Sequence, residues 1–179
     1  MYLWLAAYVD NYYTSLKEKA IRINDELGIE PKAFMLPYHI SLKISFEVPS
    51  GEENNVINDI EAFYMGLKPF IVRPRCIENA KTILWIRYYE NEYLKYISNE
   101  LNKILNEKYG IPYHKFDLEF IFHSTIFMSE DTNKIKEAFN RLKDETLTDR
   151  LSVNKFIIGS SDTGLPYTFK VIKEIDLND

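Results

Sequence analysis

The chain is poor in the residues that most simple functional sites need. It has one cysteine, Cys76, in 179 residues, so no disulfide can form among them, and no paired thiols can hold a metal. It has three histidines, too few and too scattered for a clustered His/Cys zinc site. There is no excess of positive charge: 22 Lys and Arg against 27 Asp and Glu leave a net charge of -5. Binding to duplex nucleic acid rests on neutralising many phosphates, so that class of partner is not expected. No run approaches the roughly 18 uncharged apolar residues of a membrane helix. The apolar start MYLWLAAYVD lacks a basic leader and a small-residue cleavage site, and it reads as a buried strand. With six glycines, the chain shows neither a P-loop nor a dinucleotide fingerprint. These features describe a protein of the reducing cytosol, without membrane contact. Cys76 is expected as a core or strand residue.

What is present is a globular composition, 46% hydrophobic and 15% aromatic with 13 tyrosines. Residues 2–9 read as a strand, followed by a helix over Tyr12 to Leu27 with Leu16, Ala20, Ile23 and Leu27 on one face and Gly28 as its stop. A link bracketed by Pro31 and Pro37 leads to a strand from Tyr38 to Val48. Ser50 to Leu67 reads as a helix with Ser50 cap-like. Strands follow at Phe70 to Ile77 and Thr82 to Tyr89, then a helix over Asn91 to Tyr109 ended by Gly110. The remaining elements are a strand at Leu118 to Met128, a helix over Asp131 to Lys143, and strands near 151–160 and 167–176 around a turn at Asp162-Thr163-Gly164.

This order repeats. Ile23-Asn24-Asp25-Glu26-Leu27-Gly28-Ile29 parallels Leu105-Asn106-Glu107-Lys108-Tyr109-Gly110-Ile111, and a strand containing histidine follows each copy. Glu61-Ala62-Phe63 and Glu137-Ala138-Phe139 recur in the next helices. The chain therefore reads as two similar lobes about a pseudo-twofold axis.

Each lobe carries the pattern His, any residue, then Ser or Thr: His39-Ile40-Ser41 and His123-Ser124-Thr125, 84 residues apart. Residues two apart on a strand face the same way, so each lobe presents one imidazole beside one hydroxyl. A single such motif is usually structural. Two at equivalent places in a repeat, using two of the chain's three histidines, point to function. Imidazole titrates near neutral pH, so one ring can take a proton while the other gives one. Ser41 and Thr125 can donate to the non-bridging oxygens of a phosphodiester as charge builds there. This chemistry needs neither a metal nor another cofactor.

The stretches LPYHISLKISF, ILWIRY and FIFHSTIFM, in this order and spacing, resemble the tandem motifs of the two-histidine (2H) phosphoesterases. That family includes the bacterial RNA 2',3'-cyclic phosphodiesterases also called 2'-5' RNA ligases. The resemblance covers nearly the whole chain. It implies that residues 1–179 form one α+β domain of two pseudo-symmetric lobes, with antiparallel sheets lining a central cleft and helices outside, catalysis by His39 and His123, and phosphate binding by Ser41 and Thr125. The substrate would be a cyclic phosphate or 2'-5' phosphodiester of a small nucleotide or RNA end, and the protein a monomer. A cleft that binds a phosphorylated nucleotide or RNA terminus without turnover is the alternative.

Strand alternation adds Lys43 to the face of His39 and Ser41, and Phe127 to that of His123 and Thr125. Lys43 is a candidate to hold phosphate, and Phe127 to stack on a base or ribose. Tyr38, Phe122 and Ser124 fall on the opposite face, where packing is expected. Arg73, Arg75 and Arg87 are candidates for a basic edge, against solvated strand charge. Pro74 between the first two suggests an edge strand. His114, with Phe116 two residues on, is read as a surface residue. Tyr167 and Phe169 either pack or reach a ligand.

Overall fold

The computed structural model describes residues 1–29 and 36–177. The link predicted between Pro31 and Pro37 lies in part outside these. Among the described residues, nine strands and five helices run in the order β1 (Tyr2–Tyr8), α1 (Thr14–Leu27), β2 (His39–Glu47), α2 (Glu53–Met65), β3 (Phe70–Val72), β4 (Pro74–Asn79) and β5 (Ile83–Tyr88). There follow α3 (Glu92–Tyr109), α4 (Lys115–Leu118), β6 (His123–Met128), α5 (Thr132–Leu142), β7 (Leu151–Val153), β8 (Lys155–Ser161) and β9 (Lys170–Asp176). No described helix is long and apolar enough to cross a membrane.

The fold is α+β, and its strands pair antiparallel throughout. One sheet has the order β2-β1-β8-β9, a second β4-β5-β6, and β3 and β7 form a two-stranded ribbon. Leaving out the short α4, the sequence of elements β-α-β-α-β-β occurs twice, from β1 to β4 and from β5 to β8. The halves exchange their last strands: β4 pairs with β5, and β8 pairs with β1. β3 pairs with its own counterpart β7. Both histidine strands, β2 and β6, are therefore sheet edges, with free sides available to meet each other.

Alternation along β1 separates two apolar clusters. Leu3, Leu5 and Ala7 enter the main core, which is shared with helix residues such as Ile60, Leu101 and Ile135. Trp4 and Ala6 face the other way, onto Ile157 and Phe169. Helices α1 and α3 end as their sequences predict. Gly28 and Gly110 adopt left-handed backbone, φ 59° and 67°, and their N–H groups return to the carbonyl of Asn24 and to those of Leu105 and Asn106. Asn91 and Asp131 cap α3 and α5 through their side chains.

Four sequence expectations are corrected. Ser50 does not cap α2, whose N-cap is Glu52. The strand expected over Phe70 to Ile77 divides at Arg73, because its two parts join different sheets, and Pro74 lies on edge strand β4. The strand expected near 151–160 divides at Asn154 for the same reason. Finally, β6 starts at His123 rather than Leu118. Asp117 turns inward as the helical turn α4 forms, and its carboxylate accepts from the His114 N–H at 2.7 Å.

Candidate active site

His39 opens β2 and His123 opens β6, and the two rings are held alike. His39 Nδ1 lies 2.7 Å from the Pro37 carbonyl, and His123 Nδ1 lies 2.7 Å from the Ile121 carbonyl. A carbonyl only accepts, so each Nδ1 carries the proton, and Nε2 is left for chemistry. Each ring also rests against a tryptophan of the neighbouring strand. The centroids are 4.3 Å apart for Trp4 with His39, edge-on at 75°, and 4.3 Å apart for Trp85 with His123, tilted at 41°.

Ser41 and Thr125 share a cleft of about 430 Å³ with His39. The Trp4 indole N–H donates to Ser41 Oγ at 3.0 Å, leaving the Ser41 hydroxyl hydrogen to be given elsewhere. Thr125 stands opposite Trp85 in the β5–β6 register.

Lys43 and Phe127 do not join them. Both motif strands carry a β-bulge just beyond the hydroxyl: Ser41 pairs with Ala6 but Lys43 with Leu5, and Thr125 pairs with Trp85 but Phe127 with Leu84. The extra residue, Leu42 or Ile126, reverses the alternation after it. Lys43 is consequently 1% exposed, with Nζ 2.5 Å from Asp117 Oδ2 and 3.2 Å from the Pro112 carbonyl. Phe127, also 1% exposed, lies in the main core. Ile44 and Met128, each five residues after its histidine, line the cleft instead.

The two edge strands are joined through Ser124, the middle residue of the second motif. Its buried Oγ donates to the His39 carbonyl at 2.7 Å and lies 3.0 Å from the Tyr88 hydroxyl, which is 3.1 Å from that of Tyr13. Burial pushes both phenols above their ordinary pKa, so they stay protonated. The first motif has Ile40 at the matching place, so the link is one-sided. Ser124→Ala is expected to lose about 1–3 kcal/mol in urea denaturation, the cost of leaving buried groups unpaired. It should also weaken the mutual influence of the two histidines in an NMR titration of their ring protons. Unchanged titration curves would show that the bridge does not set their spacing.

Both rings are shifted toward the neutral form. Burial draws His39 down to about 4 from 6.5, the charge of His123 adds to this, and the Pro37 carbonyl opposes it. His123 is also lowered, first by burial and then by Arg87, with the Ile121 carbonyl opposing. The remaining cleft wall includes Trp4, Leu36, Pro166, Tyr167 and Phe169, so Tyr167 and Phe169 lie in the cleft wall. Trp4 was missed as a site residue. Its signal is the alternation of Tyr2, Trp4, Ala6 and Tyr8 on one face of β1, which the continuous apolar run conceals.

No family model matches the sequence, and no curated protein matches it significantly. Solved structures match over nearly the full length. TT0787 of Thermus thermophilus is 16% identical with a TM-score of 0.63, over 98% of this chain and 97% of that one. E. coli LigT complexed with 3'-AMP is 14% identical with a TM-score of 0.54, over 99% and 98%. A structure described as a phosphoesterase is 14% identical with a TM-score of 0.57, over 99% of each chain. The chain has the 2H phosphoesterase fold.

Within this 2H fold the third histidine, His114, is exposed and serves as the N-cap of α4, its Nδ1 accepting from the Phe116 N–H at 3.2 Å. Cys76 is half-buried on β4. Arg87 faces Glu78 at 3.4 Å, and Arg73 lies over the Tyr89 ring at 5.5 Å. Among the described residues, no group of three His, Cys, Asp or Glu side chains is placed to hold a metal ion.

Proposed function

We propose that the chain is a phosphodiesterase of the 2H superfamily, hydrolysing a cyclic phosphate or 2'-5' phosphodiester of a nucleotide or RNA end without a metal. The observation that carries this reading is the matched presentation of two imidazoles. Each has Nδ1 fixed on a carbonyl two residues earlier, each lies against a tryptophan, and each has a hydroxyl two residues on. The fold it shares with LigT, a protein solved with 3'-AMP bound, supports the nucleotide.

With a cyclic phosphate in the cleft, the neutral imidazole of His39 accepts a proton from water as the water oxygen bonds to phosphorus. The bond from phosphorus to one ribose oxygen breaks, and that oxygen takes a proton from His123. Water is consumed and a phosphate monoester is formed. His39 ends protonated and His123 neutral, and exchange with solvent restores both. Ser41 and Thr125 donate to the non-bridging oxygens. The aromatic wall of Trp4, Tyr167 and Phe169 receives the nucleoside.

The pH dependence tests this. The required state has one ring neutral and one charged. In the free protein the pair titrates near 4 and below 6.5. Below that interval both rings are charged and no base remains; above it both are neutral and no acid remains. The expected kcat/KM, which reports the free enzyme, therefore peaks within the interval and falls about tenfold per pH unit above it. A bound phosphate anion favours imidazolium, so the alkaline limb of kcat should lie at higher pH. Assays on a 2',3'-cyclic nucleotide with excess chelator should give the same profile. A kcat/KM flat from pH 5 to 8, or activity lost to chelator and restored by a divalent ion, would overturn the mechanism.

A further inference from the structure

Beyond the cleft beside His39, the face of the second sheet that carries His123 and Thr125 also carries side chains that the proposed reaction does not use. Along β5, Leu84, Ile86 and Tyr88 are buried while Ile83, Trp85 and Arg87 lie on the side of His123 and Thr125. Arg87 stands directly opposite His123 and Trp85 directly opposite Thr125. Neither is part of the enclosed wall built around Trp4 and Phe169. We propose that this face is a subsite for the neighbouring phosphate of a single RNA strand, with Arg87 as its cation and Trp85 as its stacking surface. The substrate is then an RNA end rather than a free cyclic mononucleotide. This deepens the phosphodiesterase reading and rests on it.

Three observations carry the inference. First, Arg87 is placed but not saturated. One guanidinium nitrogen reaches Glu78 on β4 at 3.4–3.5 Å, the outer limit of a hydrogen bond, and the side chain is 32% exposed. Its remaining donors suit a phosphate, which the planar fork can grip with two parallel bonds. Second, Trp85 is half-buried against the His123 ring, and its indole N–H is buried without a hydrogen-bond partner. A flat, partly open ring next to a cation is the combination on which single strands are held, one base stacked and one phosphate neutralised. Third, the spacing suits a strand. Arg87 and His123 are opposed residues of neighbouring antiparallel strands, whose side chains start about 5 Å apart, and the arginine arm continues toward Glu78 of β4, so a strand leaving His123 in that direction passes the guanidinium. Burial lowers the His123 pKa most, and the neighbouring Arg87 charge lowers it further.

Arg73, over the Tyr89 ring, and Arg75 are exposed where edge strand β4 begins. In a chain of net charge -5, such local cations favour a short end over a long duplex. The terminal nucleoside would occupy the enclosed wall beside His39, and the strand would leave across Trp85 and Arg87.

The test compares a 2',3'-cyclic mononucleotide with a dinucleotide ending in a 2',3'-cyclic phosphate, and the readout is the ratio of their kcat/KM values. Wild type is expected to prefer the dinucleotide by on the order of 10- to 100-fold, the scale of one charge-assisted contact. Arg87→Gln should bring the ratio to within about threefold of unity and reduce the salt dependence on the dinucleotide by the slope of roughly one phosphate contact. Glu78→Gln, which releases the guanidinium, should raise the ratio. No preference in wild type, or an Arg87→Gln variant in which both substrates fall together, would overturn the subsite. If wild type turns over neither compound, the catalytic reading fails first. The subsite is then decided by calorimetry with the dinucleotide and mononucleotide 3'-phosphates: equal affinities sink it, and a preference abolished by Arg87→Gln sustains it.

Discussion

Replacing His39 or His123 by alanine is expected to lower turnover of a cyclic phosphate by on the order of 10²- to 10⁴-fold, the usual contribution of a positioned general acid or base. Base and acid act in one transition state, so the double variant should lose far less than the product of the two single losses. The leaving group separates their roles. A p-nitrophenyl phosphodiester departs without needing a proton, so His123→Ala should recover most of its loss on that substrate while His39→Ala should not. Ring removal also withdraws packing from Trp4 or Trp85. Circular dichroism and melting must therefore accompany the kinetics. A folded variant of either histidine with near-normal turnover would end the paired-imidazole mechanism and favour a cleft that only binds.

The second large effect is on stability, at a residue the strand pattern assigned to the cleft. Lys43 and Asp117 form an ion pair with both side chains almost wholly enclosed, the lysine on β2 and the aspartate on α4. Lys43→Met or Asp117→Leu alone leaves a charge buried without its partner and is expected to cost about 3–5 kcal/mol. For a chain of this size that is a fall in Tm of roughly 6–20 °C. The double variant, which removes both charges and keeps most of the volume, should recover much of the loss in urea denaturation. A Lys43→Met variant with normal stability and a raised KM would return the lysine to phosphate binding.

These two predictions separate what was legible from what was not. The histidines were legible because strand alternation is local: His39 with Ser41, and His123 with Thr125, keep a shared face as long as the strand stays regular for three residues. Lys43 and Phe127 failed because each lies beyond a bulge, and a bulge has no signature in residue type here. Its trace in the sequence is two adjacent positions that both favour the interior, Leu42-Lys43 and Ile126-Phe127, and a lysine at one of them conceals it. The partner that makes Lys43 tolerable inside, Asp117, is 74 residues away. It also turns residues 115–118 into a helical turn where the apolar pattern suggested strand.

The sequence by itself determined the alternation of helices and strands, the glycine stops at Gly28 and Gly110, the doubled order of elements and the two histidine motifs. All of these depend on neighbours within a few residues or on a comparison of the chain with itself. Tertiary structure decided what depends on pairing between distant segments. The exchange of β4 and β8 between the halves leaves β2 and β6 as facing edges. The bulges select Ile44 and Met128 for the cleft, and the Ser124 hydroxyl joins the two motif strands. Register is a property of two strands together, and burial a property of all the strands and helices that cover a residue. Neither can be read from one segment's own period.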